Sequence, residues 1–351
     1  MMLVREAGIG EWNQEVTYTK ERIKKSHIVL QDKQDKHEGR PTRGHFENYK
    51  QSQNVNFSRL PNTIKQRTRL PSPETPLKQQ IASTKQTSSV CSWLSREMPK
   101  APYFLTAVLL VRIYEYDKAQ LTSKEMVQWL QYLRYAGVEH VYVYDAWVHG
   151  NESQKQLLSV FIKEGFVTYI DWHTHNPYTI GGTQVAAYQH CIKHYGNVTR
   201  WQTAIDIDEY PFSPKDTSPG FLYRFVQGFG SSQPQISEIT MQNYIFLGKP
   251  LEKELLMDRL LRRTPKPANQ LVKPIYKPEN VQAQVHHNVL RKGRSISAHT
   301  GHLRLNHYWG ARLQNWGEDT PHILAITEPD NSIKPIVTAF RNCKPYLCNS
   351  C

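Results

Sequence analysis

Between residues 103 and 208 four short apolar runs alternate with three helix-like segments, and that alternation restricts the chain to one class of architecture. The run at 103–113, beginning YFLTAVLLV, is apolar at consecutive positions, which marks a strand covered on both faces. TSKEMVQWLQYLRYAG follows, with Thr122 and Glu125 spaced as a capping box, Met126, Leu130 and Leu133 at helical intervals, and Gly137 as the stop. A second strand is expected over 138–145, and a second helix over 151–165 with Asn151 as its cap and Gly165 at its end. The third strand covers 166–172, the third helix runs from a Thr183 cap to Gly196, and the fourth strand covers WQTAIDID at 201–208. Such an order gives an α/β fold: a mostly parallel sheet flanked by helices, whose ligands bind beyond the carboxyl ends of the strands.

Two of the expected strands end in acid, at Asp145 and at Asp206 with Asp208 and Glu209. Acids that only solvate a surface sit in polar, helix-forming company, whereas these close β-like runs. On a strand, Asp206 and Asp208 would point the same way, into one cavity; the plainer alternative is a surface turn in which Glu209, Tyr210 and Pro211 leave the sheet. No G-x-G-x-x-G follows the first strand and no G-x-x-x-x-G-K-[ST] is present, which disfavours dinucleotide and P-loop chemistry. A nucleotide-sugar site meets these constraints, because a divalent cation held by one or two carboxylates can neutralise a diphosphate without a glycine loop. A metal-dependent phosphohydrolase would use similar acids but offer more ligands for two ions.

The formal charge is +13, and residues 1–100 hold 18 of the 44 basic and 10 of the 31 acidic side chains. That stretch is rich in Gln, Lys, Thr, Ser, Asn and Pro, too polar to offset its ordering entropy, so residues 1–100 read as a disordered basic tail or stem and 101–351 as the folded domain. The modest excess in the domain and the lack of a known module argue against a nucleic-acid partner. The longest apolar run has nine residues, against the roughly 18 of a membrane span, so the chain as written reads as soluble. Three N-x-S/T sequons, at Asn56, Asn151 and Asn197, and five cysteines permit a luminal protein with a disulfide such as Cys343–Cys348.

With these elements in view, the runs YFLTAVLLVRIYEYDKAQLTSKEMVQWLQYLRYAGVEHVYVYDA, TQVAAYQHCIKHYGNVTRWQTAIDIDEYPF, VHHNVLRKG and RLNHYWG resemble glycosyltransferase family 92, over roughly residues 101–345. The resemblance implies a GT-A-like fold, a UDP-sugar donor and a glycan acceptor. It further implies inverting hexosyl transfer, with galactose the expected sugar, and anchorage in the Golgi as a type II membrane protein, through an anchor this chain does not show. It makes Asp208 the metal ligand, places Asp206 near ribose and metal, Asp145 near the uracil, and Gln184 and Arg112 on the donor side. His307 becomes a third metal-side ligand, and a nitrogen ligand favours Mn2+ over Mg2+. His299, His302 and His307 fit no standard zinc spacing.

Inversion needs a carboxylate to deprotonate the acceptor hydroxyl. Glu318 and Asp319 in QNWGEDTPH are candidates, with Glu238 in ISEITMQNY competing. Trp309 and Trp316 could carry a sugar face, and Arg291, Lys292 and Arg294 could meet the diphosphate. The resemblance departs at Arg112 and Glu115, where the family has a more compact Arg/Asn-Glu element. A catalytically silent, carbohydrate-binding relative is the alternative reading.

Overall fold

In the computed structural model the described residues are 89–94, 97–111, 121–146, 153–175, 180–268, 272–311 and 318–344. The chain divides into the units Met1–Ala82 and Ser83–Cys351, and all described residues lie in the second. Of the expected tail, only Ser89–Leu94 and residues 97–100 fall among them.

The apolar run forms β1 (Tyr103–Val111), buried from Leu105 onward. Helix α1 (Ser123–Ala136) starts on the expected capping box: the Thr122 side chain accepts from Lys124 N and the Glu125 carboxylate accepts from Thr122 N at 2.7 Å. It ends at Gly137, whose φ of 101° is left-handed. A Cβ there would also stand 2.7 Å from Tyr223 Cβ, so both backbone and space require glycine. Next come β2 (His140–Asp145), α2 (Ser159–Lys163), β3 (Val167–Asp171), α3 (Ile180–Tyr195) and β4 (Thr199–Ala204).

Three boundaries differ from the sequence reading. The second helix is a single turn, because the segment before it is tied to the sheet: Gln154 N donates to Asp145 Oδ2 at 2.7 Å; Asn151 lies outside the described residues. Helix α3 begins at Ile180 and runs through Gly181 and Gly182, so Thr183 is an interior, buried residue rather than a cap. Tertiary placement here overrides the poor helix propensity of glycine. Strand β4 stops at Ala204, which leaves Asp206 and Asp208 in the connection that follows.

Beyond lie β5 (Glu209–Phe212), α4 (Phe221–Ser232), β6 (Ile236–Met241), β7 (Asn243–Ile245), β8 (Arg262–Arg263), β9 (Lys273–Tyr276), β10 (Val281–Gln282), β11 (Val289–Leu290), β12 (Arg294–Ser297) and β13 (Arg304–His307). Helix α5 (Pro321–Ala325), β14 (Glu328–Pro329) and α6 (Lys334–Cys343) close the described chain. The main sheet has the order β12-β6-β9-β4-β1-β2-β3. Every adjacent pair is parallel except those involving β9, which is antiparallel to both neighbours. A second sheet, β5-β13-β7, has β13 antiparallel to β5 and parallel to β7, and β8 pairs with β14. The fold is thus the expected mostly parallel α/β sheet.

Packing of α3 on the sheet buries Ala187, Tyr188 and Cys191 against Val108, Leu110, Tyr142 and Tyr144; each large side chain so removed from water is worth about 1.5–3 kcal/mol. The 3₁₀ turn Ser89–Leu94 docks on α6, with Trp93 stacked on Phe340 at 5.3 Å and edge-on to Tyr135 at 5.1 Å. That docking pairs Cys91 with Cys343 in a disulfide, in place of the Cys343–Cys348 bridge that the sequence permitted; Cys348 lies outside the described residues. Among the described residues no helix is long and apolar enough to cross a membrane.

Candidate functional site

At the carboxyl edge of the parallel strands, the chain leaves β4 and turns before β5. Glu209 N donates to Asp206 O at 3.0 Å, and Asp206 N donates to Glu209 Oε2 at 2.8 Å, so the two acids cross-brace the turn. The strand alternation that would point Asp206 and Asp208 the same way is therefore absent. Each is held by its own element. Gln184 on α3 donates to Asp206 Oδ1 at 3.1 Å, and Lys273, the first residue of β9, reaches Asp206 Oδ2 at 3.4 Å and Glu209 Oε2 at 3.3 Å. Asp208 is met by His307 at the end of β13, with Nε2 3.1 Å from Oδ2. The β13–β5 register sets His307 opposite Glu209, and Tyr308 N donates to Asp208 O at 2.9 Å.

These groups are buried: Asp208 is 0% exposed, Glu209 2%, Lys273 1% and His307 7%. Burial pushes the Glu209 carboxyl above its usual range; Asp206 and Asp208 add to this, while the charges on Lys273 and His307 oppose it. Asn243 on β7 places its side-chain nitrogen 3.1 Å from His307 Nδ1. With that amide donating to Nδ1, Nε2 is the ring nitrogen turned towards Asp208. Asp206 and Glu209 thus share the single ammonium of Lys273 while Asp208 faces His307, and the acid-rich cluster is shielded from water.

That donor set fits a hard cation shared with a ligand. Among the described residues no group of three or more His, Cys, Asp or Glu side chains stands ready to hold a metal ion alone. A divalent ion held by one or two carboxylates, with the rest of its shell drawn from diphosphate oxygens, needs no such cage. Asp208 with His307 is the pair suited to it, and Asp206 lies beside them, braced by Gln184 and Lys273.

The other expected residues are placed as follows. Asp145 ends β2 on the same edge, buried, its Oδ2 accepting from Gln154 N at 2.7 Å and from the Tyr169 hydroxyl at 3.0 Å. Arg112, Glu115 and Trp316 lie outside the described residues. Glu318 and Asp319 are exposed; Asp319 Oδ1 accepts from Lys249 N at 2.9 Å, close to Phe246, whose N–H bonds His307 O at 2.7 Å. Glu238 is buried in the middle of β6, accepting from Ser295 Oγ at 2.8 Å. It sits three residues before the Met241–Lys273 pair that marks the site edge. Burial raises its pKa, against hydrogen bonds from Ser295 and Asn288.

Half-buried Trp309 packs on His307 with ring centroids 5.0 Å apart. The basic loop, by contrast, is not at the site. Arg294 pairs with Ile236 at the start of β6, and Arg291 and Lys292 donate to Asn280 O, so the loop occupies the opposite end of the sheet from Lys273. The sequence reading takes Glu209 only as one of three adjacent acids and passes over Lys273 and Asn243. A lysine between Val272 and the apolar pair Ile275–Tyr276 was the available signal, since lysine is buried almost only when paired.

Comparison with known proteins adds a family and several distant folds. The family model described as glycosyltransferase family 92 matches residues 113–333. No curated protein matches the chain. Among solved structures, S. aureus TarS aligns at 10% identity over 42% of this chain and 22% of that chain, with a TM-score of 0.23. TarS 1–349 aligns at 11% identity over 50% and 47%, with a TM-score of 0.26. The 4-diphosphocytidyl-2C-methyl-D-erythritol synthase of Anaerococcus prevotii aligns at 6% identity over 61% and 94%, with a TM-score of 0.30. The chain thus spans less than half the length of either TarS chain.

Proposed function

The chain belongs to glycosyltransferase family 92, and from that premise we propose that it transfers a hexose, galactose first among the candidates, from a UDP-sugar to a glycan hydroxyl with inversion at the anomeric carbon. The observation that carries the reading is the buried cluster of Asp206, Asp208 and Glu209, with Lys273 as the neighbouring ammonium, at the carboxyl edge of the parallel strands.

Asp208 and His307 would hold Mn2+, or Mg2+, whose charge supplies stabilisation of the departing diphosphate. Asp206, held between Gln184 and Lys273, orients the donor beside the ion. Asp145, at the end of β2, marks the uridine end, and Arg112, outside the described residues, is a further donor-side candidate. Asp319, exposed near the His307 strand, and its neighbour Glu318 are the candidates for taking the acceptor proton as the hydroxyl oxygen bonds to the anomeric carbon. Glu238, mid-strand, is the less suited of the three. The half-buried face of Trp309 beside His307 suits a sugar ring. The Cys91–Cys343 disulfide supports an oxidising compartment such as the Golgi lumen.

Calorimetric titration of the protein with UDP-galactose, UDP-glucose and UDP-N-acetylhexosamines, with and without Mn2+, tests this reading. Binding of one donor that needs both Mn2+ and an intact Asp208, and is lost in D208N, is the expected result. A folded protein that binds none of them would instead be a silent, carbohydrate-binding relative.

A further inference from the structure

The β10–β11 hairpin starts and ends at the amino edge of the sheet, where Arg291 N and Lys292 N donate to Asn280 O at 2.7 and 3.2 Å. From there it reaches back along α3, with Ala283 N donating to Gln189 Oε1 at 3.1 Å. Gln284 N closes the tip on Asn288 Oδ1 at 3.0 Å. The tip carries His286 to Val272, the residue before Lys273, and the ring donates a hydrogen bond to the Val272 backbone.

His286 Nδ1 is buried and has no hydrogen-bond partner among the described residues, so the bond to Val272 is made through Nε2. The ring therefore carries its proton on Nε2 and presents a bare lone pair at Nδ1. Burial pushes its pKa down to about 4, the Lys273 ammonium adding to the effect while Asp206 and the Val272 bond oppose it, so the imidazole is neutral at neutral pH. A buried acceptor without a donor is costly unless a ligand supplies the donor.

We propose that His286 Nδ1 accepts a hydrogen bond from a hydroxyl of the sugar carried by the nucleotide donor, and so helps to decide which sugar is used. The inference rests on the nucleotide-sugar reading above. Position and chemistry select the sugar over the rest of the donor. Across the sheet the order β2, β1, β4, β9 runs from Asp145 at the uridine end, past Asp206, to Lys273 and the hairpin tip, so the tip lies at the far end from the base. Diphosphate oxygens bear no proton at neutral pH and cannot donate to Nδ1, whereas every sugar hydroxyl can. A site built to pair with a substrate hydroxyl discriminates strongly against analogues lacking it, since its own polar atom is then left bare.

The test uses the full chain with Mn2+ and two readouts: UDP affinity by calorimetry, and kcat/KM for release of UDP from each UDP-hexose without acceptor. H286Q retains a donor for Val272 and removes the acceptor at Nδ1, while H286N places a polar atom near Nδ1. H286Q is expected to keep UDP affinity within about threefold and to lose about 10- to 100-fold in kcat/KM on the preferred donor, with H286N recovering part of that loss. Unchanged turnover in H286Q overturns the proposal. So does a parallel fall in UDP affinity and turnover in both variants, which would make His286 scaffolding for the Lys273 strand. Failure of the wild-type protein to bind UDP removes the nucleotide-sugar reading and this inference with it, and is recognised before any variant is compared.

Discussion

Lys273→Met removes the ammonium that faces Asp206 and Glu209 and keeps the volume of its stem. Each ion pair, at 3.3–3.4 Å, is worth about 5 kcal/mol of attraction at an effective dielectric near 20. The desolvation of an ammonium only 2% exposed opposes a large part of that. Truncating one partner of such a buried cluster leaves uncompensated charge and costs about 3–5 kcal/mol, so the melting temperature should fall by about 10 °C. The variant also shifts the cluster one charge further negative, so Mn2+ should stabilise K273M more than the wild-type protein. Adding Glu209→Gln removes one of the stranded carboxylates, and K273M/E209Q should be less destabilised than the sum of the single changes by about 2 kcal/mol. Urea unfolding of the four proteins closes the cycle. A loss below about 1 kcal/mol in K273M, or strict additivity in the double variant, would refute the view that these side chains act as one charged unit.

Two further outcomes follow from groups away from the cluster. Buried His140 bonds Gly165 O and Thr168 Oγ1, and burial pushes its pKa down to about 4, against the Gly165 hydrogen bond. Between pH 6.5 and 4 the unfolded chain binds a proton that the folded one refuses. His140 therefore costs the fold about 3 kcal/mol as pH falls through that window, and H140Q should flatten this part of the stability curve. Cys91→Ser opens a loop whose ends are 252 residues apart and should cost up to about 5 kcal/mol, an effect that mild reduction of the wild-type protein should reproduce. Stability within 1 kcal/mol of wild type would count against the bridge.

Local rules made much of the fold legible. Thr122, Glu125 and Gly137 carry the start and end of α1 in side-chain chemistry that acts within a few residues, and the unbroken apolar run of β1 could only be covered on both faces. The site was legible as a location, since the acids at 206–209 end an apolar run, but not as an arrangement. Asp206 and Asp208 lie in a turn that Glu209 closes rather than on a strand, so the period-two argument does not describe how either side chain is placed. Lys273 and His307 arrive from 67 and 99 residues further along, on an antiparallel insertion and in a second sheet. No local pattern encodes such partners. The basic loop at 291–294 shows the converse: charge in the sequence suggested a phosphate contact, and pairing of Arg294 with Ile236 at the start of β6 holds that loop at the far end of the sheet.

The Cys91–Cys343 bridge also changes how the domain bears a load. With the two Cα atoms 5.6 Å apart, tension applied along the chain on either side of the domain passes across one covalent bond. It bypasses β1, which would otherwise be sheared out between β2 and β4. The bridge likewise makes residues 91–343 a closed ring, so a protease that cuts one exposed loop leaves a single covalently joined molecule, and the cut shows only after reduction.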